Sequence, residues 1–365
     1  MTGLLVKIGY LEGMFIAGLG TAVPPHRYTQ EECWQAFQAA APFAQLPDRS
    51  RALIRKVLSG SNGIASRHFA VAPLSSAFEI TPDVLHKRFA TAAPALCTEA
   101  ARKALTEARV SVEEIDGVVI STCTGYLCPG LTSYVSERLG LRANVLALDL
   151  VGQGCGAAIP NLRACDALLA SGRAKHVLSI CVEVCSAALY VDDDPGVLIS
   201  NCLFGDGAGA AVVSAEAPVH QRRVEWVDTD TVLSAPDRDY LRFEQRNGLL
   251  RNLLARQVPA LAAKFVEEVL TTVLQRHALP RNDIAAWLLH PGGRDILRAL
   301  QTRLGLADED LKWSASVLHD FGNISSASLY FVMDRALRGG QAGGWWWLSS
   351  FGAGFSCHGA LVKVE

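Results

Sequence analysis

Net charge is nearly missing from this chain. Its 365 residues carry 34 Lys and Arg against 36 Asp and Glu, a formal charge of −2. Without a basic excess there is no electrostatic case for nucleic acid or an anionic membrane as partner, although local basic residues remain free to bind an acidic small molecule. Long apolar runs are missing too. No window reaches the roughly 18 to 20 uninterrupted apolar residues of a membrane span. The opening stretch MTGLLVKIGYLEGMFIAGLG is interrupted by Lys7 and Glu12 and has no small-residue cleavage site, which speaks against a secretory signal. A disulfide framework is the third absence. Ten cysteines in a chain of this size are not the pattern of a small secreted domain. Cys181, Cys185 and Cys202 stand in apolar, strand-like runs, where a free thiol behaves as a small hydrophobe. A reducing cytoplasm is the expected location.

What is present suffices for a large core. Half of the residues are apolar and 19% are charged, so the length allows one large globular domain or two medium ones. Short β-branched runs (GVVIST, HVLSICVEV, AAVVS, AAWLLH, WWWLSSF) alternate with helical stretches at 94–108, 156–171, 258–277 and 325–338. That alternation favours α/β architecture with buried sheets. Residues 15–20 read as the first core strand and residues 1–13 as an appendage.

The chain also echoes itself. FGDGAGAAVV at 204–213 resembles FGAGFSCHGALV at 351–362, and GVVISTCTG at 117–125 resembles AAWLLHPGG at 285–293. Between these markers LDLVGQGCGAA (148–158) parallels LHDFGNISSAS (318–328). Cys123 and Cys155 lie 32 positions apart, His290 and Asn323 lie 33. Glycine turns recur in any α/β protein, but three markers in one order predict two copies of one unit, over 14–215 and 222–365, joined near PVHQRR. Copies packed face to face would bring Cys155 to His290 and Asn323.

Each of these residues has an ordinary and a chemical reading. Cys155 sits between two glycines at the mouth of a helix. A thiolate there would gain from the unpaired amides of a helix start and from an adjacent imidazolium. His290 ends an apolar strand before Pro291-Gly292-Gly293, a place where a structural and a catalytic histidine are equally at home. The other histidines weigh less: His176 and His220 read as surface positions, and His319 and His358 lack the strand-end context. Asn323 is either a helix cap or a donor to a developing oxyanion or enolate.

Taken together, the residues resemble the thiolase superfamily, and within it the type III polyketide synthases, the chalcone synthase-like enzymes. The likeness runs from GLGTAVPPHRYTQ (18–30) to SFGAGFSCHGALVKVE; HPGGRDIL (290–297) is similar to the family's histidine motif and FGNISSASLYFVMD (321–334) to its asparagine motif. The resemblance implies a thiolase-like five-layer αβαβα fold built from two duplicated halves, a homodimer, and no metal or organic cofactor. It implies that Cys155 takes an acyl group from a starter acyl-CoA, while His290 and Asn323 hold malonyl-CoA for decarboxylation and iterative condensation. Phe204 takes the place of the gatekeeper phenylalanine. Thr124, Cys185, Ala188, Asn252, Ser325 and Phe351 are implied cavity residues, and Arg55 and Lys56 match the basic helix that pairs with CoA phosphates.

Departures colour that expectation. Asn252 stands where an aromatic second gatekeeper is usual, and the GFGPG turn reads Ser350-Phe351-Gly352-Ala353-Gly354. Cys185 and Ala188 replace threonines, pointing to a roomier, apolar cavity, a fatty acyl starter and alkylpyrone or alkylresorcinol products. The neighbouring readings are a single-condensation initiation synthase that uses an acyl carrier protein, which typically carries His-Gln-Ala-Asn in place of HPGG, and a non-catalytic thiolase-fold partner subunit.

Overall fold

The computed structural model describes residues 13–219 and 222–365. All but Gly13 of the expected appendage lies outside those residues, as do His220 and Gln221 of the expected junction. The strands are β1 (Phe15–Ala22), β2 (His26–Thr29), β3 (Ser66–Phe69), β4 (Gly117–Ser121), β5 (Leu146–Leu150), β6 (His176–Glu183), β7 (Gly207–Ser214), β8 (Val224–Leu233), β9 (Leu241–Arg246), β10 (Leu249–Leu254), β11 (Ile284–Leu289), β12 (Gly344–Gly352) and β13 (Ser356–Val364). The helices are α1 (Gln30–Ala39), α2 (Ala41–Ala44), α3 (Asp48–Ser59), α4 (Pro82–Ala108), α5 (Leu131–Leu139), α6 (Ala158–Ala170), α7 (Pro195–Leu203), α8 (Val258–Arg276), α9 (Arg294–Leu304), α10 (Lys312–Phe321) and α11 (Ser328–Arg338).

Nine strands run in the order β11-β12-β13-β8-β1-β7-β6-β4-β5. This sheet is almost two, because β1 and β8 meet only at Phe15 and Glu225. On one side β1, β7 and β6 are antiparallel neighbours, with β4 and β5 then added in parallel. On the other, β8, β13 and β12 are antiparallel neighbours and β11 is added in parallel.

Alternation along the strands sends neighbouring side chains to opposite faces, and most faces of this sheet are buried, the end strand β5 being largely exposed. Trp346 packs into the central slab, with α6 and α11 between the two sheet halves; Trp347, one residue on, packs into the outer slab beneath α8 and α9. The opposite outer slab holds α4 and α5 against β4, β6 and β7. The result is the αβαβα stack of a thiolase-like fold. Burying side chains as large as Trp346 and Trp347 stabilises each slab by roughly 2–3 kcal/mol per residue.

Three local expectations shift. The helix expected over 94–108 begins at Pro82, behind a Thr81 cap whose hydroxyl accepts from Val84 N at 3.4 Å, and carries Pro94 inside it. A proline at a capped first turn costs the helix no amide bond, which is why Pro82 is a start signal. Cys202 belongs to helix α7 rather than to a strand, and Cys185 to a single 3₁₀ turn after β6. His176 is half-buried, its Nδ1 2.7 Å from Ser214 Oγ, because it opens a strand inside the sheet. A fourth apolar cluster, built from α1, α3, α7, β3 and the 3₁₀ turn Leu74–Phe78, forms a lobe that the motif reading did not foresee.

Candidate active site

Cys155 occupies a 3₁₀ turn, Gly154–Gly156, that runs into α6. The turn is seated on the hairpin joining β12 to β13. Ser350 Oγ donates to Gly156 O at 2.9 Å. Gly352 lies so close that a Cβ there would stand 2.2 Å from Gln153 O and 2.5 Å from Gly156 N, so only glycine allows this approach. The first half of the chain thus supplies the thiol and the second half its seat.

His290 follows the last residue of β11, its amide donating to Ser349 O at 2.9 Å. Its ring meets Phe351 edge-on, with centroids 5.2 Å apart. Among the described residues neither ring nitrogen has a hydrogen-bond partner, although the side chain is 1% exposed. Such an orphan is rare in a folded interior and marks a group held ready for something else. Asn323 Nδ2 donates to Gly292 O at 3.2 Å, two residues beyond His290, and its Oδ1 accepts from Ser325 N at 2.8 Å. Ser325 Oγ donates in turn to Cys155 Sγ at 3.2 Å. Ser325 holds φ at +48°, a left-handed conformation unusual for serine and of the kind that collects at functional sites. These contacts gather the thiol, the imidazole and the carboxamide into one neighbourhood.

A cavity opens in front of Cys155. Thr124, Cys185, Ala188, Phe204, Asn252 and Ser325 are among the residues that line it. His290, Asn323 and Phe351 are not among the residues that line it; all three are buried. Arg55 and Lys56 are exposed on α3 and do not line it either. The cavity continues into the unforeseen lobe, between Cys33, Ala36, Phe37, Phe69, Leu74 and Phe78. Those residues carry no motif, and apolar side chains of this kind fill any core.

The charge state differs from the expectation of an activated thiolate. Burial pushes the Cys155 thiol up to about 12; the hydrogen bond from Ser325 works against this and the carboxyl of Glu183 adds to it. Burial alone holds His290 down to about 3. Removing both groups from water outweighs the helix start, which favours a neutral thiol and a neutral imidazole.

Two charged residues of this neighbourhood escaped the motif reading. Glu183, on β6, is fully buried and accepts from Thr124 Oγ1 at 2.9 Å, Cys123 N at 3.1 Å and Ser325 Oγ at 3.3 Å, besides Ser326 Oγ. Burial raises its pKa. Arg67, on β3, is 1% exposed and lines the cavity. A lone acid in the apolar run CVEV was the available signal for Glu183, since unpaired carboxylates are almost never fully buried. For Arg67 there was none.

The arrangement matches known proteins along its length. A family model described as FAE1/type III polyketide synthase-like protein matches residues 24–290, and one for the C-terminal domain of chalcone and stilbene synthases matches residues 242–364. A 1,3,6,8-tetrahydroxynaphthalene synthase of Streptomyces peucetius subsp. caesius is 33% identical, covering 96% of this chain and 93% of the relative. A 3,5-dihydroxyphenylacetyl-CoA synthase of Amycolatopsis balhimycina is 30% identical, over 99% and 95%. The crystal structure of PKS-I from the brown alga Ectocarpus siliculosus superposes with a TM-score of 0.88 at 28% identity, covering 97% of this chain and 98% of that one.

Proposed function

The chain belongs to the type III polyketide synthases, cofactor-independent acyltransferases that condense CoA thioesters by decarboxylative Claisen chemistry, and from that premise we propose which residues do the work and on what starter. Cys155 is the nucleophile. As an acyl-CoA thioester arrives, the thiol passes its proton to His290 and attacks the carbonyl, and CoA leaves as its thiol with that proton, which returns His290 to the neutral state. Malonyl-CoA then binds with its thioester oxygen between His290 and Asn323. Loss of carbon dioxide leaves an enolate whose oxygen those two groups stabilise, and its carbon attacks the Cys155-bound acyl group, releasing the thiol and a β-ketoacyl-CoA ready for the next round. Phe204 presents an apolar ring to the departing carboxylate, favouring the neutral product.

The starter is a fatty acyl-CoA and the products are alkylpyrones or alkylresorcinols. One observation carries this reading: the cavity at Cys155 continues between apolar walls at Cys33, Ala36, Phe37, Phe69, Leu74 and Phe78, where an alkyl chain loses its water and a polar chain has no partner. Mass spectrometry of products from purified protein, malonyl-CoA and starters from acetyl to palmitoyl tests it. Long-chain starters should give the largest turnover; exclusive use of short ones overturns the assignment.

Three further points belong to the same reading. Arg55 and Lys56, free on α3, are offered to CoA phosphates. The matching pairing senses around β1 and β8 support two copies of one unit over 14–215 and 222–365. A homodimer is supported by β5, the end strand of the sheet, where Leu146 and Leu148 are 37% and 41% exposed, with Val151 just beyond it 60% exposed, because an open apolar edge invites pairing with its own copy. No helix among the described residues is long and apolar enough to cross a membrane. All ten cysteines are free, in keeping with a reducing cytoplasm.

A further inference from the structure

Among the described residues, Arg67 is a buried cation without an acid beside it. Its Nε donates to Gln30 Oε1 at 3.1 Å, and its Nη1 donates both to Asn201 O at 2.7 Å and to Phe204 O at 2.9 Å. No carboxylate lies within ion-pair distance of it among the described residues, and Phe69 lies under the guanidinium at 4.9 Å. What balances the charge is the carbonyl end of α7, the negative pole of that helix. Gln30 reinforces the hold, its Nε2 donating to Cys202 O at 3.4 Å.

The end of α7 is where Phe204 and Asn323 are joined. Asn323 N donates to Leu203 O and Gly205 N to Asn323 O, both at 2.9 Å, so the backbones around Phe204 and Asn323 form a two-bond bridge. Arg67 packs against that bridge. A Cβ at Gly322 would stand 2.9 Å from Arg67 Cγ and 2.6 Å from Leu203 O, and Gly322 holds φ at +70°. The Cys155 turn is seated separately, by Ser350 on Gly156 O, and its link to Asn323 runs through Ser325, whose amide donates to Asn323 Oδ1 at 2.8 Å and whose hydroxyl donates to Cys155 Sγ at 3.2 Å.

We infer that Arg67 is a positioning residue for the decarboxylation step: it clamps the end of α7, sets Phe204 and Asn323 in register, and does little for the thiol. The fork of a guanidinium is what the task requires, because it meets the amide of Gln30 and two carbonyls from fixed directions, which a lysine ammonium does not. The inference rests on the assignment of Phe204, His290 and Asn323 to malonyl decarboxylation.

The test separates two half-reactions in Arg67→Lys and in the milder Gln30→Leu, each checked for native secondary structure by circular dichroism. Loading of starter acyl onto Cys155 is read as a mass increment on its peptide. Decarboxylation is read as carbon dioxide released from malonyl-CoA. Misplacing Phe204 and Asn323 should lower carbon dioxide release by about 10- to 100-fold in Arg67→Lys, and less in Gln30→Leu, with Cys155 loading within about threefold of wild type. If Arg67→Lys does not fold, Gln30→Leu decides. Wild-type carbon dioxide release by the folded variants, or an equal fall in loading and release, overturns the inference. A wild-type protein that loads starter but releases no carbon dioxide overturns the underlying assignment instead.

Discussion

Replacing Glu183 by Gln should make Cys155 easier to ionise. Ser325 Oγ lies 3.2 Å from Cys155 Sγ and 3.3 Å from Glu183 Oε1, so sulfur and carboxylate are at most about 6.5 Å apart. Two like charges at that separation repel by about 2.5 kcal/mol at an effective dielectric of about 20. Removing the carboxylate while keeping the shape therefore brings the thiol down by roughly 2 pKa units and raises the thiolate population about 100-fold. A less basic thiolate is a poorer nucleophile, which divides that gain by about ten, so alkylation should quicken by about tenfold. The assay is the rate of iodoacetamide labelling of Cys155 at pH 8, followed by peptide mass spectrometry with exposed Cys128 as the internal standard. Lowering the pH should close the gap, because the raised carboxyl of wild-type Glu183 takes up its proton and ceases to repel. A folded Glu183→Gln variant that labels no faster than wild type at pH 8 refutes the reasoning.

Other outcomes follow from the packing and the protonation states. Gly359→Ala places a methyl 2.4 Å from two ring carbons of fully buried Trp347, so it should lower stability by about 1–3 kcal/mol in thermal or denaturant unfolding. His358, against Gly156 and bonded through Nδ1 to Thr231 Oγ1 at 3.0 Å, is held down to about 4, first by burial and then by Arg163. The unfolded imidazole takes a proton near pH 6.5 and the folded one does not, so this residue costs stability as pH falls. Relative to wild type, His358→Gln should gain about 2 kcal/mol between pH 7 and pH 5. Leu148→Lys charges the open edge of β5; on the proposed dimer, light scattering should find wild type at twice the mass of this variant, and equal masses would refute that edge as the interface.

The sequence spoke most clearly where a backbone must do something unusual. The glycines around Cys155, the Pro-Gly-Gly after His290 and the glycine before Asn323 mark places where chain segments approach each other or turn sharply, and those places became the site. Strand and helix interiors were legible through their period, which is why the AAWLLH and WWWLSSF runs fall on β11 and β12. The β9–β10 hairpin that carries Asn252 was not, because its alternation is interrupted by charges at Arg242, Glu244 and Arg251 that pair with one another and with Asp192. Arg67 was silent for a different reason. Two of its three partners are backbone carbonyls more than 130 positions away, and a carbonyl leaves no letter in the sequence; the third, the uncharged Gln30, does not announce a cation. The neutral state of the thiol was equally out of reach, since the depth of burial depends on what the rest of the chain stacks over it.

The seating of the Cys155 turn on Ser350 and Gly352 also sets a clock. The hairpin that seats this turn comes 194 positions after Gly156, so a ribosome makes the cysteine and its helix long before it makes their support. A chain cut before Ser350 keeps Cys155 but has lost what holds its turn. On the role proposed for Cys155, competence for acylation waits on that hairpin.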